Sequence, residues 1–289
     1  MSTPSTESDK AARKRRNRRR RLWVYGSLLG AFWAFWVWQP WEFDLFPRAA
    51  PSPNPAIDPD FAAMEAPEAR VLIVTAHPDD EEFYLGGLLA RLHDGGADIQ
   101  LVAMTDGDKG YYWFQDASAN RRIRRAEQTE ASAQTSVHPP VFLGFPDGRL
   151  RAGDREVAAL RAQIRAFRPR WVLAFDSLYP PRFSHRDHRR AGAIAEEAVK
   201  GTGTQWLMRF STRAPNFVVD VTDQWEEHKR LVAIHKSQFY GERLERVTNL
   251  IESNLEDDGA RIGTLLGVGF RCSKLDSQPH DQRQTTNDP

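Results

Sequence analysis

The chain predicts an α/β domain: a mostly parallel sheet with helices on both faces. Two observations carry this expectation. From residue 70 onwards, short apolar runs alternate with helical patterns, the signature of a sheet built from strand–helix units. Polar clusters then follow two of the runs, one directly and one after a proline-containing loop, at the strand ends where open α/β sheets build their sites.

The elements follow in order. Apolar runs at 70–76, 99–105, 140–144, 171–176 and 216–221 predict strands. Helical patterns fall at about 80–94, 120–136, 154–167, 187–200 and 223–238. The first helix gathers Phe83, Leu85, Leu88, Leu89 and Leu92 largely on one side, and Gly95-Gly96 stops it. The third places Val157, Leu160, Ile164 and Phe167 three and four apart, and Pro169 ends it. No internal repeat is visible.

The chain has 289 residues, 40% hydrophobic and 27% charged, a globular composition with net charge +1. The charge is uneven. Residues 1–21 hold nine Lys or Arg against Glu7 and Asp9, so this end is +7 and the rest of the chain is −6. A mildly acidic body argues against binding nucleic acid through its phosphates. Cys272 is the only cysteine, so no intramolecular disulfide forms.

The two ends of the chain differ from its middle. Residues 1–21 read as a disordered basic tail. Leu22 to Trp38 has no charge and carries Trp23, Trp33, Trp36 and Trp38, so 22–41 reads as a transmembrane anchor. A cleaved signal peptide, with Arg48-Ala49-Ala50 as its weak cleavage candidate, and a buried core helix are the competing readings. The arginine run also permits twin-arginine export. The basic flank predicts a cytoplasmic N-terminus and a catalytic domain outside the membrane. Six prolines between 47 and 67 mark 42–69 as a spacer. The folded domain is expected over 70–272, with a polar tail at 273–289.

Two clusters carry chemistry. His77-Pro78-Asp79-Asp80-Glu81 follows the first strand, and His185-Arg186-Asp187-His188 follows the fourth. A catalytic zinc needs about three protein ligands and an open position. His77 and Asp80, three apart at a loop-to-helix junction, can converge on one ion, and His188 can supply the third ligand. Asp79 is then free to take a proton from water. His185, with Asp187 beside it to orient it and favour its charged form, can stabilise an oxyanion or protonate a leaving amine. The competing reading is that Asp79 or Asp80 merely caps the helix. His93, His138, His228, His235 and His280 read as surface or packing residues.

With these residues in place, the chain resembles the PIG-L, or LmbE-like, family of zinc-dependent deacetylases. The match rests on Thr75-Ala76-His77-Pro78-Asp79-Asp80-Glu81 paired with His185-x-Asp187-His188. Weaker matches follow in order at Thr105–Gly110, Arg124-Arg125-Ala126-Glu127, Leu143–Gly148, Lys229 and His235-Lys236-Ser237-Gln238, covering roughly 70–270. The resemblance implies a Rossmann-like three-layer fold and removal of an N-acetyl group, often from an N-acetylglucosamine unit. It implies His77, Asp80 and His188 as Zn2+ ligands, although another divalent ion would also suit them. It implies Asp79 as general base, His185 as oxyanion stabiliser oriented by Asp187, and Arg124 as a contact to the sugar or its aglycone.

The sequence departs from the family at Arg186, where a proline is usual, and at Gly267–Phe270, where an acidic-aromatic end is not clear. Eukaryotic relatives with an N-terminal anchor keep the catalytic domain in the cytosol, against the charge rule here. Tyr111-Tyr112-Trp113-Phe114 follows the second strand's loop, and Tyr112 and Trp113 are candidate platforms for a sugar ring. The rival functions are hydrolysis of another amide or an ester, and non-catalytic glycan binding at the cell envelope.

Overall fold

Seven strands form the sheet in the order β3-β2-β1-β4-β5-β7-β6. They are β1 (Arg70–Thr75), β2 (Asp98–Thr105), β3 (Val141–Phe145), β4 (Trp171–Phe175), β5 (Trp206–Phe210), β6 (Phe217–Asp220) and β7 (Gly267–Lys274). The helices are α1 (Phe61–Met64), α2 (Asp80–Asp94), α3 (Ala117–Thr135), α4 (Asp154–Phe167), α5 (Arg186–Ala198), α6 (Trp225–Val232) and α7 (Gly241–Gly259). The computed structural model describes residues 56–110, 116–135, 138–178 and 185–275.

β1 is central because Val71, Leu72, Ile73 and Val74 are all fully buried, as a strand covered on both faces requires. It pairs in parallel with β2 on one side and with β4 on the other, in register Val74↔Val102 and Val74↔Ala174. β5 continues the parallel set, and β7 closes it antiparallel to both β5 and β6. The sheet is therefore mixed, with five parallel strands.

The strand order reverses direction at β1. From there the chain winds outward to β2 and β3, then returns to β4 and β5 on the other side. Right-handed crossovers place α2 and α3 on one face and α4 and α5 on the opposite face. The helix contacts agree: α2 packs with α3 and α6, and α4 packs with α5. Close approach on the first face requires glycine. A Cβ on Gly86 would stand 2.5 Å from Cδ2 of His228, and one on Gly87 would stand 3.0 Å from Cβ of Val221.

The packed region extends beyond the expected limits at both ends. α1 lies inside the stretch read as a spacer, and its Met64 is fully buried. Trp171 Nε1 donates to Pro59 O at 2.7 Å, so the segment before β1 is bound to the start of β4. At the other end β7 runs to Lys274, and Leu275 N donates to Gln205 O. β5, β7 and α7 were not expected from the sequence. The tail at 1–21, the expected anchor at 22–41 and the residues after 275 lie outside the described residues. Among the described residues, no helix is long and apolar enough to cross a membrane.

Candidate active site

The two polar clusters meet where the sheet changes direction. β1 and β4 are parallel neighbours, so their carboxyl ends open onto one crevice, the position at which such sheets bind ligands. His77 leaves β1 on one lip, and His185 and His188 leave β4 on the other. The ligand atoms of His77, Asp80 and His188 all lie within 4.8 Å of one another, and all three residues are buried. Asp80 is the hinge of this group. Its Oδ2 accepts the backbone N–H of Ala76 at 3.0 Å and of His77 at 2.8 Å, while its Oδ1 stands 3.1 Å from His188 Nε2. Burial opposes its charge, but His188 and His77 hold its pKa well below the usual carboxylate range.

The donor set suits a metal ion. Two imidazoles and a carboxylate are ligands that zinc accepts, and they converge from two loops. His77 Nε2 and His188 Nδ1 are buried without an aligned hydrogen-bond partner. Three carboxylates surround the His77 ring: Asp80 Oδ2 lies 3.6 Å from Nδ1, and Asp147 Oδ1 and Asp187 Oδ2 lie 3.1 and 3.7 Å from Nε2. Burial works against a charged His77, but these three carboxylates raise its pKa well above the ordinary value. A second triad, His77, His185 and Asp187, shares the same imidazole.

Asp79 does not cap its helix. Its φ of 98° and ψ of −24° are left-handed, and its side chain makes no capping bond. Its carboxylate turns instead to Arg124, whose Nη2 donates to Oδ2 at 3.0 Å. Burial raises the Asp79 pKa above its usual value, and the Arg124 charge works in the opposite direction.

Two of the expected site residues have further partners in this geometry. Arg124, expected at the sugar or its aglycone, is 4% exposed. Its guanidinium donates to Pro78 O, Gly107 O and Asp79, so it braces the first loop from behind. Asp187 was expected to orient His185 with its carboxylate. That carboxylate instead accepts from Gly148 N at 2.6 Å and Leu150 N at 3.3 Å, tying in the loop after β3. Asp187 reaches His185 through its backbone, whose N–H donates to Nδ1 at 3.3 Å. A ring that accepts at Nδ1 carries its proton on Nε2 when neutral. Burial, then the charges of His77 and His188, lower the His185 pKa to about 4.

Several site residues escaped the sequence reading. Asp147 belongs to a motif noted there but received no role. Gln128 takes the Asp79 N–H, and Phe175 lies under His188. The order of polar residues along α3 was the available signal: Asn120, Arg124, Gln128 and Ser132 recur every fourth position, and all are buried. Tyr112 and Trp113 lie outside the described residues.

A model of the PIG-L family, described as GlcNAc-PI de-N-acetylase, matches residues 72–199. Diacetylchitobiose deacetylase of Thermococcus kodakarensis is 32% identical over 191 residues, which are 59% of this chain and 70% of that protein. The chain belongs to the PIG-L family. A second PIG-L-like relative, 1D-myo-inositol 2-acetamido-2-deoxy-alpha-D-glucopyranoside deacetylase of Mycobacteroides abscessus, is 33% identical over 47% of this chain and 57% of its own length. Among solved structures, N,N'-diacetylchitobiose deacetylase from Pyrococcus horikoshii, complexed with its inhibitor MPG, superposes with a TM-score of 0.67. It is 27% identical and covers 75% of this chain and 88% of its own. The 4-carboxy-2-hydroxymuconate hydratase GalB of Pseudomonas putida, at 19% identity and a TM-score of 0.60, shares the fold alone. The PIG-L fold is therefore a scaffold, and the reaction has to be read from the residues in its crevice.

Proposed function

We propose that this PIG-L protein is a metal-dependent hydrolase that removes the N-acetyl group from an N-acetylglucosamine-type sugar. One observation carries the reading. His77, Asp80 and His188 converge within 4.8 Å, and the carboxylate beside them, Asp79, is turned away from its own helix and held by Arg124. A glycan-binding module has no use for an aspartate held in that strained turn. The named relatives, which deacetylate diacetylchitobiose and an acetamido-deoxyglucosyl inositol, support the same substrate class.

In this reading His77, Asp80 and His188 hold zinc or a similar divalent ion. Such an ion, when bound, polarises an acyl oxygen and brings the pKa of water towards neutrality. The rest is work for side chains. Asp79 takes the proton of the attacking water and returns it to the departing amine. Its pKa, raised by burial, moves it towards the range useful for both steps. His185, neutral with its proton on Nε2, donates to the oxygen that gains charge. Asp187 supports this by fixing the ring through its backbone N–H. Tyr112 and Trp113 remain candidates for the sugar platform.

Acetate release from N,N'-diacetylchitobiose and other N-acetylglucosaminides, with metal measured on the same preparation, tests the reading. Zinc-replete protein should release one acetate per amine formed, and zinc-replete Asp79→Asn should not. Absence of acetate release across the set would overturn the assignment. The tether at 22–41 rests on its uncharged, tryptophan-rich run, and a domain outside the membrane on the basic flank. Protease digestion of intact cells tests that placement, and a protected domain would refute it.

A further inference from the structure

Asp79 occupies a backbone conformation that an aspartate does not adopt unaided. Left-handed geometry crowds the Cβ of any L residue except glycine. A free N-cap aspartate would take an extended conformation and fold its carboxylate onto the first N–H groups of α2. Something must hold Asp79 out of that arrangement. Arg124 holds the carboxylate, and Gln128, one turn further along α3, holds the backbone: its Oε1 accepts the Asp79 N–H at 2.8 Å.

Gln128 is itself fixed. Its Nε2 donates to Glu82 Oε1 at 2.8 Å, and Glu82 Oε2 stands 2.9 Å from His235 Nε2. Gln128, Glu82 and His235 are each 1% exposed or less. The order of donors and acceptors leaves the amide one orientation. The Glu82 carboxylate can only accept, so Nε2 must face it, and Oε1 is left for Asp79. The sequence Asp79 N–H, Gln128, Glu82, His235 is thus a buried relay of fixed polarity that ends on the backbone of the base.

We propose that Gln128 is a positioning residue for proton transfer: it holds Asp79 in the left-handed turn, so that the carboxylate faces the site and not its own helix. This rests on the reading of Asp79 as the base. Gln128 touches neither substrate nor metal ligand in this role, and Glu82 and His235 serve to fix its amide.

Gln128→Met removes both bonds at similar volume. With zinc content unchanged, kcat should fall roughly tenfold to a hundredfold, the scale of a misplaced catalytic group, and KM should stay within about twofold. The double variant Gln128→Glu with Glu82→Gln exchanges acid and amide but restores the pairs from residue 128 to the Asp79 N–H and to residue 82, and should recover most of the lost kcat. Amide exchange reads the same contact without substrate: the Asp79 N–H should exchange at least about tenfold faster in Gln128→Met than in the parent protein. Equal exchange rates overturn the proposal whatever the kinetics show. So does a Gln128→Met variant that keeps its kcat, or one that loses zinc. A parent protein that releases no acetate sinks the deacetylase reading instead, and the exchange comparison still decides the role of Gln128.

Discussion

The imidazole of His188 lies flat on the ring of Phe175, with centroids 4.1 Å apart and planes inclined by 4°. Phe175 is the last residue of β4, and His188 lies in the first turn of the helix that follows. The strand thus orients the metal-ligand candidate that comes after it. Gly192, one turn beyond His188, allows this: a Cβ there would stand 2.2 Å from Phe175 O. That neighbour is backbone and cannot swing aside.

Replacing Phe175 by Leu should therefore loosen the His188 ring. A stacked contact of this kind is worth about 1 kcal/mol, or roughly fivefold in zinc affinity. Gly192→Ala should act through the backbone and cost about 1–3 kcal/mol of stability, because α5 must move off β4. Chelator competition and thermal melts measure the two effects. Unchanged zinc affinity in Phe175→Leu would remove the orienting role of the stack.

Asp79 offers a test of strain that is independent of activity. Both Asp79→Gly and Asp79→Ala lose the carboxylate, so their difference isolates the left-handed backbone. The glycine variant should be the more stable by about 1 kcal/mol, because only glycine takes this backbone without crowding its Cβ. Urea denaturation of the two variants measures it, and equal midpoints would mean that the turn is not strained.

His228 links stability to pH. Burial pushes its pKa down to about 4, against the upward pull of hydrogen bonds to the Phe83 and Glu82 carbonyls. The unfolded chain has an ordinary histidine near 6.5. Between these values the unfolded state binds the extra proton, so the contribution of His228 to stability is complete above about pH 6.5 and is lost as pH falls towards 4. The span is on the order of 3 kcal/mol. Unfolding free energies from pH 4.5 to 7 should show this slope, and His228→Gln should flatten it.

Removing metal should lower stability as well as activity. Asp80, Asp147 and Asp187 crowd one imidazole, and a dication offsets their mutual repulsion. An ion present at a hundred times its dissociation constant stabilises the fold by about 2.7 kcal/mol. Melting temperature should thus fall on chelation and recover with added zinc. A curve indifferent to both would argue that the triad holds no ion.

The parallel half of the fold was legible because its strands are unbroken apolar runs, such as Val71–Val74. β5 and β7 were hidden for physical reasons. β5 carries Arg209, whose buried charge is met by Glu196 at 2.6 Å and by Ser273, and β7 is interrupted by Gly267 and Gly269. The site shows the same division. His77, Asp80 and His188 were visible because their residue types follow strand ends. Gln128 was not, because α3 turns a polar stripe inward, where apolar periodicity gives no signal. The bonds of Arg124 to loop carbonyls and Asp79 were not legible either, because its partners lie 17 to 46 residues away in sequence.

The position of β7 has a consequence for biosynthesis. β6 is made well before β7, yet among the described residues its only ladder is with β7, which sits between it and β5. While the ribosome is still synthesising α7, β6 has no strand to join, and the edge of β5 is open. The parallel strands that carry both loops of the candidate site can assemble in that interval. The last strand then seals the sheet, so a nascent chain arrested before Gly267 would display an unprotected edge to chaperones and to other copies of itself.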